Sequence, residues 1–228
     1  MTVVGFSKFE GRRISLGLNE MVMDLKIHRS FFVRAWNFIL HRTINKLKMA
    51  LGLPVRLNFD DRKVLENIIL PEVSNSAATV LFVGCASYTK FYERYFRNSS
   101  YWTIEIDPEK SKWGAGQNHI IDGLQNITDH FSNGSLDLII CNGVYGWGLN
   151  QKDDIENAVS GCFKVLKPGG LFILGWNNIP ERTPVALSEI ESLNSFQKFH
   201  FEKLNTSSHQ CQGDHNHIFD FYQKPDEN

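Results

Sequence analysis

Val80-Leu81-Phe82-Val83-Gly84-Cys85-Ala86-Ser87 decides the fold. Four apolar residues run without a polar break and stop at a glycine followed by small residues. A short, continuous apolar run of this kind fits a strand buried on both faces. Working outward, three similar runs follow at 101–106, 136–141 and 171–175. Helical patterns alternate with them at 62–70, after Asp60 or Asp61 as a cap and before Pro71, and then at 91–96 and 154–166. Lys167-Pro168-Gly169-Gly170 closes the last of these helices. Continuous apolar strands separated by helices predict a parallel sheet covered on both faces. Near the end, 198–204 and 217–223 alternate apolar with polar and predict an antiparallel hairpin closing one edge.

The chain of 228 residues is 42% hydrophobic and 21% charged, a balance that excludes wholesale disorder and collagen-like or coiled-coil architectures. Its net charge of -1 does not suit a polycation built for nucleic acid. The charge is uneven, however. Residues 1–58 hold ten Lys/Arg against three Asp/Glu, a net of +7, which leaves -8 for residues 59–228. This asymmetry divides the chain into a basic N-terminal extension, 1–58, and a main domain, 59–228.

In the extension, Ser30 would cap a helix running to Leu51, with Gly52 and Pro54 ending it. Phe32, Trp36, Ile39, Leu40, Thr43, Leu47 and Leu51 recur on one side, and Arg34, His41, Arg42, Asn45, Lys46 and Lys48 lie largely elsewhere. The segment reads as a helical cap on the domain, with peripheral contact to anionic lipid as the sharper alternative. The best apolar run, 31–40, is interrupted by Arg34 and Asn37 and falls short of the roughly 20 residues of a membrane span. The N-terminus lacks the continuous apolar core of a signal peptide. Cys85, Cys141, Cys162 and Cys211 form no CxxC pair, so no disulfide framework is expected and a cytoplasmic setting fits.

Ligands of an open parallel sheet bind beyond the carboxyl ends of its strands. The small residues Gly84, Cys85, Ala86 and Ser87 follow the first strand and let a ligand approach the backbone. Glu105 and Asp107 follow the second, where a carboxylate can accept both hydroxyls of a ribose. Asp122 stands at a further strand end, where it could meet an adenine amino group or cap the helix 125–130. After the strand ending at Cys141, three glycines bracket two aromatic residues in Asn142-Gly143-Val144-Tyr145-Gly146-Trp147-Gly148. Trp176, Asn177 and Asn178 follow the fifth strand, and Arg182 beyond them could hold an anion.

Taken in order, these segments resemble the class I S-adenosylmethionine-dependent methyltransferases. The run 80–87 resembles the family's glycine-rich first motif, Ser135-Leu136-Asp137-Leu138-Ile139-Ile140 its fourth strand, and Leu166-Lys167-Pro168-Gly169-Gly170-Leu171 the turn before its fifth. The likeness covers roughly residues 60–225 and does not reach the first 58. It implies a Rossmann-like α/β fold, with a seven-stranded, mainly parallel sheet and a C-terminal antiparallel hairpin, and it implies S-adenosylmethionine as cofactor. Gly84, Cys85, Ala86, Ser87, Glu105, Asp122 and Asn142 would bind that cofactor, with Glu105, 21 residues after Gly84, on the ribose and Asp122 at the adenine. Tyr145, Trp147 and Trp176 would meet a small organic, lipid-like acceptor.

The first motif departs from the family in three places. Phe82 stands where an acid is usual, and Ala86 and Tyr88 stand where further glycines are usual. The rival reading follows: a non-catalytic binding module or partner subunit that keeps the fold. A loop 84–90 filled by Phe82 or Tyr88 would favour the module; an open pocket would favour the enzyme. Nicotinamide binding needs G-x-G-x-x-G, and 84–89 keeps only the first glycine. The acceptor's base, if one is used, would be drawn from His119, Tyr145, His209, His215 and His217, none marked by a local motif. His209, Cys211, His215 and His217 have the chemistry of zinc ligands but no standard spacing, so no metal is expected. The extension carries no RNA-binding pattern, and a small molecule is the expected partner.

Overall fold

A computed structural model describes residues 36, 40, 43–48, 51, 53–213 and 215–226. The chain forms two compact units, 1–53 and 54–228. In the first, residues 36, 40 and 43–48 are helical, and the Leu51 amide donates to the Leu47 carbonyl at 2.9 Å, continuing the helical spacing. The expected cap at Ser30 lies outside the described residues.

The second unit opens with α1 (Asp60–Val64), a π-helical turn (Leu65–Ile69) and α2 (Leu70–Val73). Asp60 and Asp61 lie in the first turn, and neither caps it: Asp60 accepts from the Gln212 amide at 2.8 Å, and Asp61 pairs with Arg62. Pro71 does not end the helix. It sits in the first turn of α2, just after the wider π turn, where its missing N–H costs least. Then come β1 (Thr79–Val83), β2 (Ser100–Glu105), β3 (His119–Ile121), β4 (Leu136–Asn142), α3 (Lys152–Val165), β5 (Leu166–Asn177), β6 (Gln197–Lys198), β7 (Ser208–Gln210) and β8 (His217–Gln223). The helix expected at 91–96 is a single 3₁₀ segment, Tyr92–Phe96.

Among the described residues the sheet has eight strands in the order β3-β2-β1-β4-β5-β8-β6, with β7 beside β8. Strands β1 to β5 pair in parallel, and β8 runs antiparallel to β5. This is the Rossmann-like arrangement expected, with one difference at the edge. The first arm of the hairpin is broken. Gln197 and Lys198 pair with Gln223 and Tyr222, the chain loops out through a 3₁₀ turn at Glu202–Leu204, and Ser208–Gln210 pair with Ile218–Asp220. Asn205, in the left-handed region at φ 50, turns the loop back. The edge strand is thus two pieces laid end to end along β8, the kind of interruption that blunts an exposed edge.

Alternation along each strand feeds two cores. Leu81, Val83, Ile139, Cys141, Phe172 and Leu174 face one side and pack against α3 through Ile155, Ala158, Val159, Cys162 and Val165. Val80, Phe82, Leu138, Ile140, Ile173 and Phe221 face the other and pack against Leu65, Ile69, Leu70, Tyr92 and Phe96. Phe82 is therefore a core residue, edge-on to Tyr92 with ring centroids 5.2 Å apart. The parallel strands end nearly level, Val83 beside Ile104 and Cys141, so the residues that follow them share one rim.

Candidate active site

A cavity of about 700 Å³ opens where the order of the strands reverses, between the ends of β1 and β4. Of the residues singled out in the sequence, Gly84, Cys85, Ala86, Glu105, Asp122, Asn142 and Trp147 line it. Ser87, Tyr145 and Trp176 do not. Ser87 is buried, and its carbonyl accepts the Val55 amide at 3.1 Å. The Tyr145 hydroxyl donates to the Val185 carbonyl, and its ring lies edge-on to Trp176 in the core. The Trp176 indole donates to Asp220 at 2.7 Å.

The glycine turn is built for close approach. Gly84 has φ +88, and a Cβ placed there would stand 2.7 Å from the Val144 side chain. The buried Glu105 carboxylate holds this turn, accepting the Cys85 amide at 2.8 Å through Oε2. Its Oε1 accepts the Asp107 amide at 3.1 Å and pairs with Lys110 at 3.4 Å. Asp107 caps the next 3₁₀ turn through the Glu109 amide at 3.0 Å, the capping role its position allowed. Asp122 does not cap the following 3₁₀ segment, which begins after Gly123 with no side-chain cap. It lines the cavity, and it gathers its own loop by accepting from the Gly123 amide at 2.7 Å, Asn126 Nδ2 at 2.8 Å and His130 Nε2 at 2.8 Å. The His130 and Asn126 bonds hold its carboxyl below the ordinary range.

Across the cavity the buried side chains Asn142, His217 and Asn177 are neutral. Asn142 is 6% exposed and shares a 3.0 Å hydrogen bond between Oδ1 and His217 Nε2, while its Nδ2 has no partner among the described residues. Burial lowers the His217 imidazole to about 4, so it is neutral near pH 7; Arg62 and His215 push the same way and Asp61 opposes them. Gly175, paired with Asn142 across β4 and β5, leaves room for that amide: a Cβ there would lie 2.1 Å from Asn142 Oδ1. Asn177 accepts from the Trp147 indole at 3.1 Å and donates to the His215 carbonyl at 3.0 Å. Arg182 stacks 3.5 Å over the Trp147 ring and donates to the Gly146 carbonyl, so it braces the mouth of the cavity.

Sequence reasoning missed Asp61 and Arg62. Arg62 is buried against the glycine loop, 4.5 Å above the Tyr88 ring, with Nε on Asp61 at 3.2 Å and Nη1 on the Tyr92 hydroxyl at 3.3 Å. The available signal was its spacing, one turn ahead of Leu65 on the helix face that turns inward. Of the candidate bases, His215 and His217 line the cavity. His119 and His209 do not; His119 Nδ1 shares a hydrogen bond with the Thr103 hydroxyl at 2.9 Å. Among the described residues no group of three or more His, Cys, Asp or Glu is gathered so that it could hold a metal ion.

With this geometry in view, the chain can be compared with known proteins. The family described as the methyltransferase domain matches residues 81–174. An uncharacterized protein of Rickettsia prowazekii (strain Madrid E) is 26% identical over 148 residues, 59% of this chain and 55% of that protein. The chain therefore spans about half the length of the curated relative it matches. In structure it is similar to the N-methyltransferase NodS from Bradyrhizobium japonicum WM9 in complex with S-adenosyl-L-homocysteine, with a TM-score of 0.55 and 17% identity over 74% of this chain and 90% of that one. It is also similar to TrmN from Thermus thermophilus, with a TM-score of 0.51 and 14% identity over 68% of this chain and 47% of that one. The match to the methyltransferase domain runs from within β1 to within β5, the strands that carry the glycine turn and the rim, and the solved structures share the fold around it.

Proposed function

We propose that the protein transfers a methyl group from S-adenosylmethionine to a small organic acceptor with apolar, lipid-like character. The observation that carries this reading is the open cavity beside Gly84. Its volume lies within the roughly 300–1,000 Å³ of ligand sites, and neither Phe82 nor Tyr88 fills it. The residues present fit the cofactor. Gly84 forms a turn in which a Cβ would strike Val144, Glu105 and Asp122 stand on one rim, and Asn142 offers a buried N–H with no partner among the described residues. When bound, the cofactor supplies a methyl already activated on a sulfonium, so the protein's task is alignment.

The chain's own residues are suited to that task. Glu105 fixes the glycine turn through the Cys85 amide and the next turn through the Asp107 amide. Gly84, Cys85 and Ala86 line the cavity through that turn, while Ser87 supports it from behind. His217, neutral and buried, holds the Asn142 amide so that its free atom serves the cavity. Trp147, Phe59 and Ile106 line the mouth and are each more than half exposed. An apolar rim of this kind suits an acceptor with apolar surface better than a nucleic acid, as does the net charge of -8 over residues 59–228. Tyr145 and Trp176, expected to meet the acceptor, instead support this wall from the core.

Calorimetric titration with S-adenosylhomocysteine tests the reading. Micromolar binding is expected, weakened about 100-fold by Glu105→Ala, which strands the buried Cys85 amide and frees the loop. Absence of binding up to millimolar concentration would favour a non-catalytic module.

A further inference from the structure

The first unit carries a surface that the methyl-transfer reading leaves unused. Trp36, Leu40, Ile44 and Leu47 are all exposed, Trp36 and Leu47 by 68% and 60%. At 3.6 residues per turn they fall within about 80° of one another, one continuous apolar stripe. Leu51 continues the stripe one turn later and is 64% exposed. Lys46 and Lys48, both exposed, flank it, within a segment of net charge +7. A water-facing helix has no use for a run of Trp and Leu, and a core-facing helix would bury it. Exposed apolar surface beside dense positive charge matches one kind of surface, a bilayer with anionic headgroups. There the stripe enters the acyl boundary and the lysines meet phosphates. Nucleic acid would use the charge and leave the leucines in water.

We propose that the helix described at residues 36, 40 and 43–48 lies in the interface of an anionic membrane and brings this protein to the lipid surface. The inference goes beyond methyl transfer and does not depend on it.

Flotation of the full-length chain with vesicles is the test. Vesicles of equal parts phosphatidylcholine and phosphatidylglycerol should carry the protein, and vesicles of phosphatidylcholine alone should not. Leu40→Ser with Leu47→Ser should weaken the binding by roughly tenfold or more through lost apolar burial. Lys46→Glu with Lys48→Glu should weaken it by a similar factor, and added salt should mimic this second pair. The lysine pair is exposed and should leave thermal unfolding unchanged, so it decides the matter if the leucine pair fails to fold. The proposal fails if neither vesicle is bound, or if binding survives the leucine pair in a folded protein. It also fails if the chain is a dimer that the leucine pair dissolves, since the stripe then belongs to a second copy. Preferential capture of an RNA oligomer over the vesicles would overturn it too. Flotation uses no cofactor, so its failure would leave the methyl-transfer reading intact.

Discussion

The two ends of the cavity are built by opposite rules. Under β1 and β2 the polar groups are charged and already committed: Glu105 to two backbone amides and Lys110, Asp122 to Gly123, Asn126 and His130. At the other end Asn142, His217 and Asn177 are neutral, and one of them is incomplete: Asn142 leans on His217 and keeps a buried Nδ2 without a partner among the described residues. The first end spends its hydrogen bonds on holding a backbone shape, and that shape is what a ligand meets. The second end keeps a side-chain donor in reserve. Buried polar groups are normally paired, so on the proposed reading Asn142 Nδ2 is where a ligand would complete the structure, whereas the carboxylates are already paired within the fold.

The largest effect should come from breaking the backbone shape. Gly84→Ala puts a Cβ 2.7 Å from the stiff Val144 side chain, at a φ of +88 that disfavours any side chain. We expect a loss of about 2–5 kcal/mol in stability, with S-adenosylhomocysteine binding reduced beyond detection. Adding Val144→Ala should remove the clash and leave the backbone cost. Urea melts of both variants should then differ, with the double variant recovering part of the loss. Equal stability in the two would show that the contact with Val144 costs nothing.

The second prediction concerns the neutral end. His217 titrates near 4 when folded against 6.5 for a free imidazole. The folded state therefore binds fewer protons than the unfolded state between those values. The stability contributed by His217 is complete above pH 6.5 and is lost as the pH falls toward about 4. The size of this term is roughly 3 kcal/mol. His217→Gln keeps a donor for Asn142 Oδ1 and cannot titrate, so its urea stability should fall less than the wild type's across that window. Parallel curves would show that folding leaves the His217 imidazole unshifted and would remove the burial effect assigned to it. Gly175→Ala attacks the same end through space. It should displace the Asn142 amide and cost about 1–3 kcal/mol, visible as a lowered urea midpoint.

Much of the committed end was legible in the sequence because its signals are local. A continuous apolar run ending on glycine gives a buried strand and a turn, and a carboxylate at the next strand end falls on the same rim because parallel strands end level. The Lys-Pro-Gly-Gly stretch, read as a turn before the strand, lies inside β5 at the register shift between Leu166 and Leu171. The neutral end was less legible because its partners are distant in sequence. Asn142 and His217 are 75 residues apart, and only the antiparallel return of β8 beside β5 brings them together. Tyr145 and Trp147 differ by two residues in a glycine-rich loop, yet one points into the core and the other to the mouth, a choice the composition of the loop does not reveal. Arg62 was hidden by chemistry: a charged residue on a helix reads as solvated unless the stacking tyrosine and the paired aspartate are seen around it. The edge strand was read as one piece because alternation continues through 199–204, while the turn at Asn205 breaks the pairing.

The smallest effect tests whether the committed end serves only itself. Asp122 is partly exposed, and its bonds to His130 and Asn126 lower its carboxyl. A lowered carboxyl contributes stability above its ordinary value of 3.8, and that contribution disappears as the pH falls through the folded value. Solvent screening keeps the term small, under about 1 kcal/mol. Asp122→Asn can still accept from Gly123 but loses the charge that His130 meets, so near pH 7 the melt should move little. S-adenosylhomocysteine affinity should fall by about three- to tenfold if this rim also meets the adenine. The ratio of the two effects carries the meaning. An affinity loss without a stability loss places Asp122 at the ligand as well as in its turn. A stability loss with unchanged affinity makes it a turn residue alone, and the charged end of the cavity would then reach its ligand through Glu105 and the glycine backbone.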